Sequence, residues 1–447
     1  MKSNYRKELI RNNIRIGIWG LGFIGYTTTV NFANQGIQCV GFDINEDLIE
    51  TAKRGEIPLI GLEYWLGFPV KGLFEKNLIK VTTNWKVLVE SEDIQIHFIC
   101  IPTEQGSEPW DDALIDVINK ISLRKSKEPT IIIIESTLTP GRCDDIVIKI
   151  LKEKGHEIGR DFLVSIAPRR DWFISPDKNL KNLPRVVGGT TPETTNIVID
   201  ILSIICDNLI PAKSHREAEL VKSTENAFRH VGITLANQLT MAFPDVDIRE
   251  VLRLVGTKWN IPTYQPSLGT GGYCIPLSSK YVLMGAKDPD YLTILKDSVE
   301  FDMNHPQRVI ENVLKEHKCH KIAILGICYK GDLKVHILSP ALRIIDYLKN
   351  QKIELAVYDH YYSDNELKKI TKIPIFKYPE DLILFDCIII TPDHRLFSQI
   401  SESDIKNYLK NCKIIIDNAG VWSKWMDLFK EIKIRYIQIG SKNWLKK

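Results

Sequence analysis

The sequence predicts an α/β protein in which two parallel-sheet domains are joined by a long central helix. Three observations carry that reading. Short apolar runs such as Ile131–Ile134 alternate with helix-length stretches in the first 200 or so residues, the pattern of a parallel sheet with crossover helices. The same alternation returns after residue 320. Between the two, His215 to Phe243 holds one glycine, Gly232, and no proline, which predicts a single long helix. A chain of 447 residues has room for two or three domains. Their boundaries are expected at 1–212, 213–312 and 313–447.

Composition narrows the function classes. A hydrophobic fraction of 44% with 26% charged residues belongs to a soluble globular chain. The net charge of +3 is close to balance and implies neither a nucleic-acid nor a membrane partner. The apolar runs are strand-length, too short to span a bilayer. The nine cysteines show no CxxC and no paired spacing, so neither a disulfide framework nor a zinc site is expected. The basic stretch Met1–Asn13 has no apolar run behind it, which excludes a secretory signal and points to a reducing cytoplasm. The lysine-rich tail, 442–447, reads as a solvated end.

In chain order, Ile14–Gly20 reads as a buried strand and Gly20-Leu-Gly-Phe-Ile-Gly25 follows at once. Thr27–Gln35 continues as a helix, and Ile37–Phe42 is a second strand that ends in Asp43. Strand, GxGxxG, helix, strand and acid in that order form a dinucleotide site of Rossmann type. Gly20 permits the tight turn, Gly22 lets the pyrophosphate approach and Gly25 lets helix pack on strand. Phe23 and Ile24 supply backbone at the helix N-terminus, where phosphate binds. Asp43 is placed for a ribose hydroxyl, so NAD is expected rather than NADP.

Further strands are Ile94–Cys100, Thr130–Glu135, Val164–Ala167 and Arg185–Gly189. Polar residues just after parallel strands sit where ligands bind. Thr103 and Thr137 are therefore either site residues or helix N-caps. Val164–Ala167 leads into Pro168-Arg-Arg-Asp-Trp172. On the long helix, Ala218, Val221, Ala227, Phe228 and Val231 form an apolar face, and Glu219, Lys222 and Asn226 recur at i, i+3, i+7. This stripe is either solvated, or its ammonium and amide hold an oxyanion and a water.

Gly269-Thr-Gly-Gly-Tyr-Cys-Ile-Pro-Leu-Ser278 reads as a glycine-rich loop stiffened by Pro276. It presents a thiol, Cys274, to a ligand, or the cysteine is incidental. Beyond it lie the strands Lys321–Gly326, Glu354–Asp359, Asp386–Thr391 and Lys413–Asp417, with a helix at Ser339–Asn350. This second sheet has no GxGxxG, so its ligand need not be a dinucleotide.

With these residues in place the chain resembles the UDP-glucose/GDP-mannose dehydrogenase family over nearly its whole length. The likeness rests on Gly20–Gly25, Pro102-Thr103, Ser136-Thr137 with Pro140-Gly141, and Val187-Gly-Gly189. It continues through Ala218-Glu219, Lys222, Asn226, Arg229, Ala236-Asn237, Gly271–Pro276, Leu325-Gly326 with Tyr329-Lys330, and Ser339-Pro340. The Gly-Gly-x-Cys-Ile-Pro form is closer to the UDP-N-acetylhexosamine branch than to the UDP-glucose branch.

The resemblance implies oxidation of a nucleotide sugar, UDP- before GDP-linked, at C6 to the acid with two NAD. Cys274 would be the nucleophile that forms a thiohemiacetal and then a thioester. Lys222 would steady the oxyanion, Asn226 would place sugar or water, and Thr137 would lie near the reacting carbon. Gly271, Gly272 and Lys330 would hold the nucleotide sugar. No metal is implied, and a homodimer through the central helix is.

Three sites depart from the family pattern. Arg169 stands where the family has glutamate, Ser278 where it has an acid, and Lys334, Val335, His336 and Ile337 occupy a segment that usually holds acids and an arginine. One expectation is a retuned site, with Arg169 and Arg170 on an extra sugar anion and a water, Glu135 or His336 as base. The others are an enzyme that stops at the aldehyde and a nucleotide-sugar-binding pseudoenzyme.

Overall fold

The computed structural model describes residues 4–58, 62, 66–170, 178–442 and 444–445. Asp171 and Trp172 of the expected Pro168–Trp172 stretch, and Asn443, Lys446 and Lys447 of the lysine-rich tail, lie outside them. The chain divides into two compact units, Met1–Glu225 with Lys280–Lys287, and Asn226–Ser279 with Asp288–Lys447. The division falls inside the long helix, which runs His215–Ala242.

Among the described residues, the sheet of the first unit has eight strands: β1 Arg15–Trp19, β2 Cys39–Phe42, β3 Ile79–Thr82, β4 Ile94–Ile99, β7 Thr130–Ile134, β8 Phe162–Ile166, β9 Arg185–Gly189 and β10 Leu209–Pro211. A short hairpin, β5 Glu104–Gln105 with β6 Glu108–Pro109, stands apart. The sheet order is β10-β9-β8-β7-β4-β1-β2-β3. All neighbours are parallel except β8 and β9. Every residue of β7 is buried, as expected for a strand covered on both faces. The strand order reverses between β1 and β4, which makes their carboxyl ends the ligand-binding crevice of such a sheet.

The second unit carries β11 Lys321–Leu325, β12 Glu354–Tyr358, β13 Cys387–Ile390, β14 Ile414–Asp417 and β15 Arg435–Gln438. They are all parallel in the order β12-β11-β13-β14-β15, with the reversal at β11 and β13. β3, β10 and β15 were not evident in the sequence, because each is short and mostly half-buried or exposed.

Two local expectations are corrected. Cys274 does not lie in a loop; it opens the helix Cys274–Gly285. Pro276 fits in the first turn because N–H groups there have no partner within the helix. Phe228 is not on the buried face of the long helix; it is 76% exposed, while Ala218 and Ala227 are buried. Among the described residues, no helix is long and apolar enough to cross a membrane.

Candidate active site

At the carboxyl end of β1, Gly20 has φ +87°, and a side chain there would press on the Cys100 carbonyl at 2.5 Å. A Cβ on Gly25 would fall 1.9 Å from the Gly20 oxygen, whereas one on Gly22 would meet nothing within 4 Å. Gly22 is the N-cap of the helix Phe23–Asn34 and, lacking a side chain, makes no side-chain cap there. Asp43, half-buried at the end of β2, accepts the Leu21 N–H at 2.7 Å and the Asn45 N–H at 2.9 Å. A glycine turn into a helix N-terminus with room at Gly22, and a carboxylate at the end of the second strand, fit NAD.

Thr103 and Thr137 are brought together: the Thr103 hydroxyl donates to the Thr137 carbonyl at 2.7 Å. It also lies 3.0 Å from the Tyr281 hydroxyl, which in turn donates to the Thr103 carbonyl. Thr103 therefore ties two strand ends together rather than capping a helix. Glu219 is structural too, accepting the Gly141 and Cys143 N–H groups at 2.7 and 2.9 Å. Lys222 is half-buried on the same helix.

Arg169 is not where the sugar-anion expectation put it. Its guanidinium is 2% exposed and points into the dinucleotide domain. It donates to Thr28 Oγ1 at 2.7 Å, Thr27 Oγ1 at 3.1 Å and the Ile24 carbonyl at 3.3 Å. Glu135 lies 3.8 Å away and is ion-paired with Arg185. It also accepts the Thr28 hydroxyl at 2.6 Å and the Cys100 thiol at 3.2 Å. A carboxylate so enclosed, with none of its side chain exposed, is an anchor and not a base. Burial, then the Glu135 charge, push the Cys100 thiol well up. Arg170 pairs with Glu225 at 2.6 Å and donates to the Pro184 carbonyl.

In the second unit, Cys274 is the one part-exposed thiol of nine; the other eight are buried, and none is in a disulfide. It stands at a helix N-terminus, where negative charge is favoured. Gly271 and Gly272 are required by close approach, since a Cβ on either would strike Tyr329 at 2.5 and 2.7 Å. That contact seats the loop Gly326–Gly331, with Lys330, against the glycines. Burial first, and then the Cys274 charge, push the Tyr329 phenol up. Asn226 donates to the Ser278 hydroxyl at 2.9 Å, so the residue four after Cys274 is held by an amide. His336, the other base candidate, is bonded to the Tyr362 hydroxyl at 3.0 Å, and burial pushes its pKa down.

Sequence reasoning missed the buried partners. Thr28, Arg185, Tyr281, Asp302 and Arg343 form the polar contacts around these loops, yet each sits in a helix or strand where a lone polar residue reads as solvated.

Three models of the UDP-glucose/GDP-mannose dehydrogenase family match the chain. They are the NAD binding domain at residues 14–205, the central domain at 216–304 and the UDP binding domain at 323–424. The UDP-N-acetyl-D-mannosamine dehydrogenase of Methanococcus aeolicus is 28% identical over 92% of this chain and 93% of its own length. Protein CapL of Staphylococcus aureus is 28% identical over 92% and 96%. Among solved structures, the UDP-N-acetyl-D-mannosamine dehydrogenase of Pyrococcus horikoshii aligns with TM-score 0.81 at 26% identity, over 96% of this chain and 100% of that one.

Proposed function

Because the chain belongs to the UDP-glucose/GDP-mannose dehydrogenase family, we propose that it oxidises the C6 alcohol of a UDP-N-acetylhexosamine to the carboxylate. The reaction is R–CH2OH + 2 NAD⁺ + H2O → R–COO⁻ + 2 NADH + 3 H⁺. The observation that carries the reading is Cys274, the single part-exposed thiol, at a helix N-terminus behind two glycines that admit no side chain. The UDP binding domain match and the mannosamine relatives support the substrate class. The acid product would serve polysaccharide synthesis.

NAD, when bound, supplies the hydride acceptor. Gly20, Gly22, Phe23, Ile24, Gly25, Asp43 and Thr103 hold it. Cys274 adds to the intermediate aldehyde as a thiohemiacetal, which becomes a thioester as the second hydride leaves, and water then releases the acid and returns the free thiol. Lys222 steadies the oxyanion, Asn226 places sugar or water, and Thr137 lies by the reacting carbon. Gly271, Gly272, Arg170 and Lys330 bind the nucleotide sugar. The protein acts in the cytoplasm, as nine unbridged thiols support. It does so as a homodimer, for which Phe228, Leu235 and Trp259, 76%, 55% and 92% exposed, are apolar side chains left uncovered in the single chain.

Counting NADH per UDP-N-acetylmannosamine consumed tests the reading. Two NADH and a product heavier by one oxygen less two hydrogens are expected, with Cys274→Ala losing the acid. A second reading is favoured by Ser278, which offers an amide-held hydroxyl where a carboxylate would assist hydrolysis. It expects one NADH and an aldehyde. No turnover and no effect of Cys274→Ala on nucleotide-sugar binding would leave a binding protein.

A further inference from the structure

Cys274 is held from both sides by one buried carboxylate. Upstream, Asp302 accepts the Thr270 N–H at 2.8 Å and the Thr270 hydroxyl at 2.6 Å. Arg343 completes the grip: it donates to the Thr270 carbonyl at 2.9 Å and to the Asp302 carbonyl at 3.0 Å. Downstream, the Ser279 hydroxyl lies 2.8 Å from His230 Nδ1, and the far nitrogen of that ring faces Asp302 at 3.6 Å. Thr270 is four residues before Cys274 and Ser279 five after it. Asp302, His230 and Ser279 are all 1% exposed or less.

The neighbouring residues are fixed in the same way. Ser267 donates to Asn237 at 2.8 Å and accepts from His305 at 2.9 Å. Leu268 donates to Asn418 at 2.7 Å and Gly272 to the Ile337 carbonyl at 2.8 Å. Burial opposes the charge on Asp302, but His230, Arg343 and Thr270 outweigh it and hold the carboxyl down at about 2. It is therefore ionised at any working pH. Several buried polar groups thus converge on this one loop. Such groups are costly unless satisfied, and when satisfied they specify one geometry.

We propose that Asp302 and Arg343 are positioning residues for the reaction. They lock the Gly269–Gly272 loop through Thr270 and, by way of His230 and Ser279, the first turns of the helix that begins at Cys274. Neither touches substrate; each acts by fixing where the sulfur stands. This rests on the proposed role of Cys274, and the experiment separates the two.

Asp302→Asn and Thr270→Val are compared with the parent for steady-state turnover of UDP-N-acetylmannosamine and for the rate at which iodoacetamide alkylates Cys274, read by peptide mass. A misplaced nucleophile costs on the order of 100-fold in rate, so Asp302→Asn is expected to lower kcat by about that factor while KM moves less than about threefold. Cys274 alkylation changes in parallel. Thr270→Val loses part of the rate and Thr270→Ser, which keeps the hydroxyl, recovers it; this pair decides the matter if Asp302→Asn does not fold. A folded Asp302→Asn with kcat and alkylation within twofold of the parent overturns the proposal, as does equal activity of the two Thr270 variants. If Cys274→Ala still makes acid, the role of Cys274 fails, and the alkylation rates still judge whether the clamp sets the thiol.

Discussion

The two sheets make the same turn and put it to different uses. After β1, Gly20 at φ +87° turns the chain, and the next N–H, of Leu21, donates to Asp43 at the tip of β2. After β11, Gly326 also has φ +87°, and the next N–H, of Ile327, donates to Asp359 at the tip of β12 at 2.8 Å. Asn45 and Tyr361 add a second N–H to each carboxylate at 2.9 and 3.0 Å. The difference lies beyond the turn. In the first unit Gly22 leaves open space and Asp43 remains half-exposed. In the second, Cys328 and Asp359 are each 1% exposed, and His394 faces Asp359 at 3.4 Å. The Asp332 N–H donates to His394 Nδ1 at 2.9 Å, which leaves the Nε2 proton for Asp359. The shared device sets the turn; what is left open decides the ligand. The first loop can admit a pyrophosphate and a ribose, and the second has filled that space with side chains.

The largest effects come from the turns themselves. A Cβ at Gly326 would meet Pro392 at 2.3 Å, and one at Gly20 the Cys100 carbonyl at 2.5 Å. Gly20→Val and Gly326→Val should each destabilise by roughly 3 kcal/mol, from φ strain and overlap. Their kinetics should part, with the NAD KM rising in the first and the UDP-sugar KM in the second. A rise in NAD KM in both would break the comparison.

Asp359→Asn comes next. Burial opposes the Asp359 charge, yet His394 and the N–H groups of Ile327 and Tyr361 outweigh it and lower its pKa. A lowered folded pKa stabilises above the ordinary carboxylate value and is lost as pH falls through the folded one. The second unit should therefore lose stability in acid below about pH 4. Asn at this position should cost about 2 kcal/mol at pH 7 and flatten that acid dependence in urea titrations. The NAD KM should not move. Asp43→Asn should do the reverse, with stability changed by less than about 1 kcal/mol and NAD KM raised roughly tenfold, as for loss of a charge-assisted bond.

The comparison also marks what could be read in the sequence. The dinucleotide site was legible because its parts are local: Gly20 to Asp43 is one strand–helix–strand unit, and each glycine has a fixed task. The long helix was legible from the absence of breakers, and Cys274 from the glycines before it. The direction of Arg169 was not, because its partners Thr27 and Thr28 lie more than 140 positions away and only the tertiary fold brings them together. The clamp on Thr270 was hidden for the same reason. Asp302 and Arg343 sit on amphipathic helices, where a charged residue ordinarily marks a solvated face. Phe228 misled in the opposite sense, since an apolar residue in helical register with Ala227 faces outward.

The smallest expected effect is the sharpest test of the open space in the first loop. Gly22 has an ordinary negative φ of −64°, and an added Cβ meets no protein atom within 4 Å. Gly22→Ala should therefore fold normally, with a stability change within about 0.5 kcal/mol. The methyl group would occupy the space through which the backbone meets the pyrophosphate. NAD KM should rise several-fold while the UDP-sugar KM stays put. An unchanged NAD KM would mean that the opening at Gly22 is not where the cofactor lies, and the contrast with the filled second loop would lose its meaning.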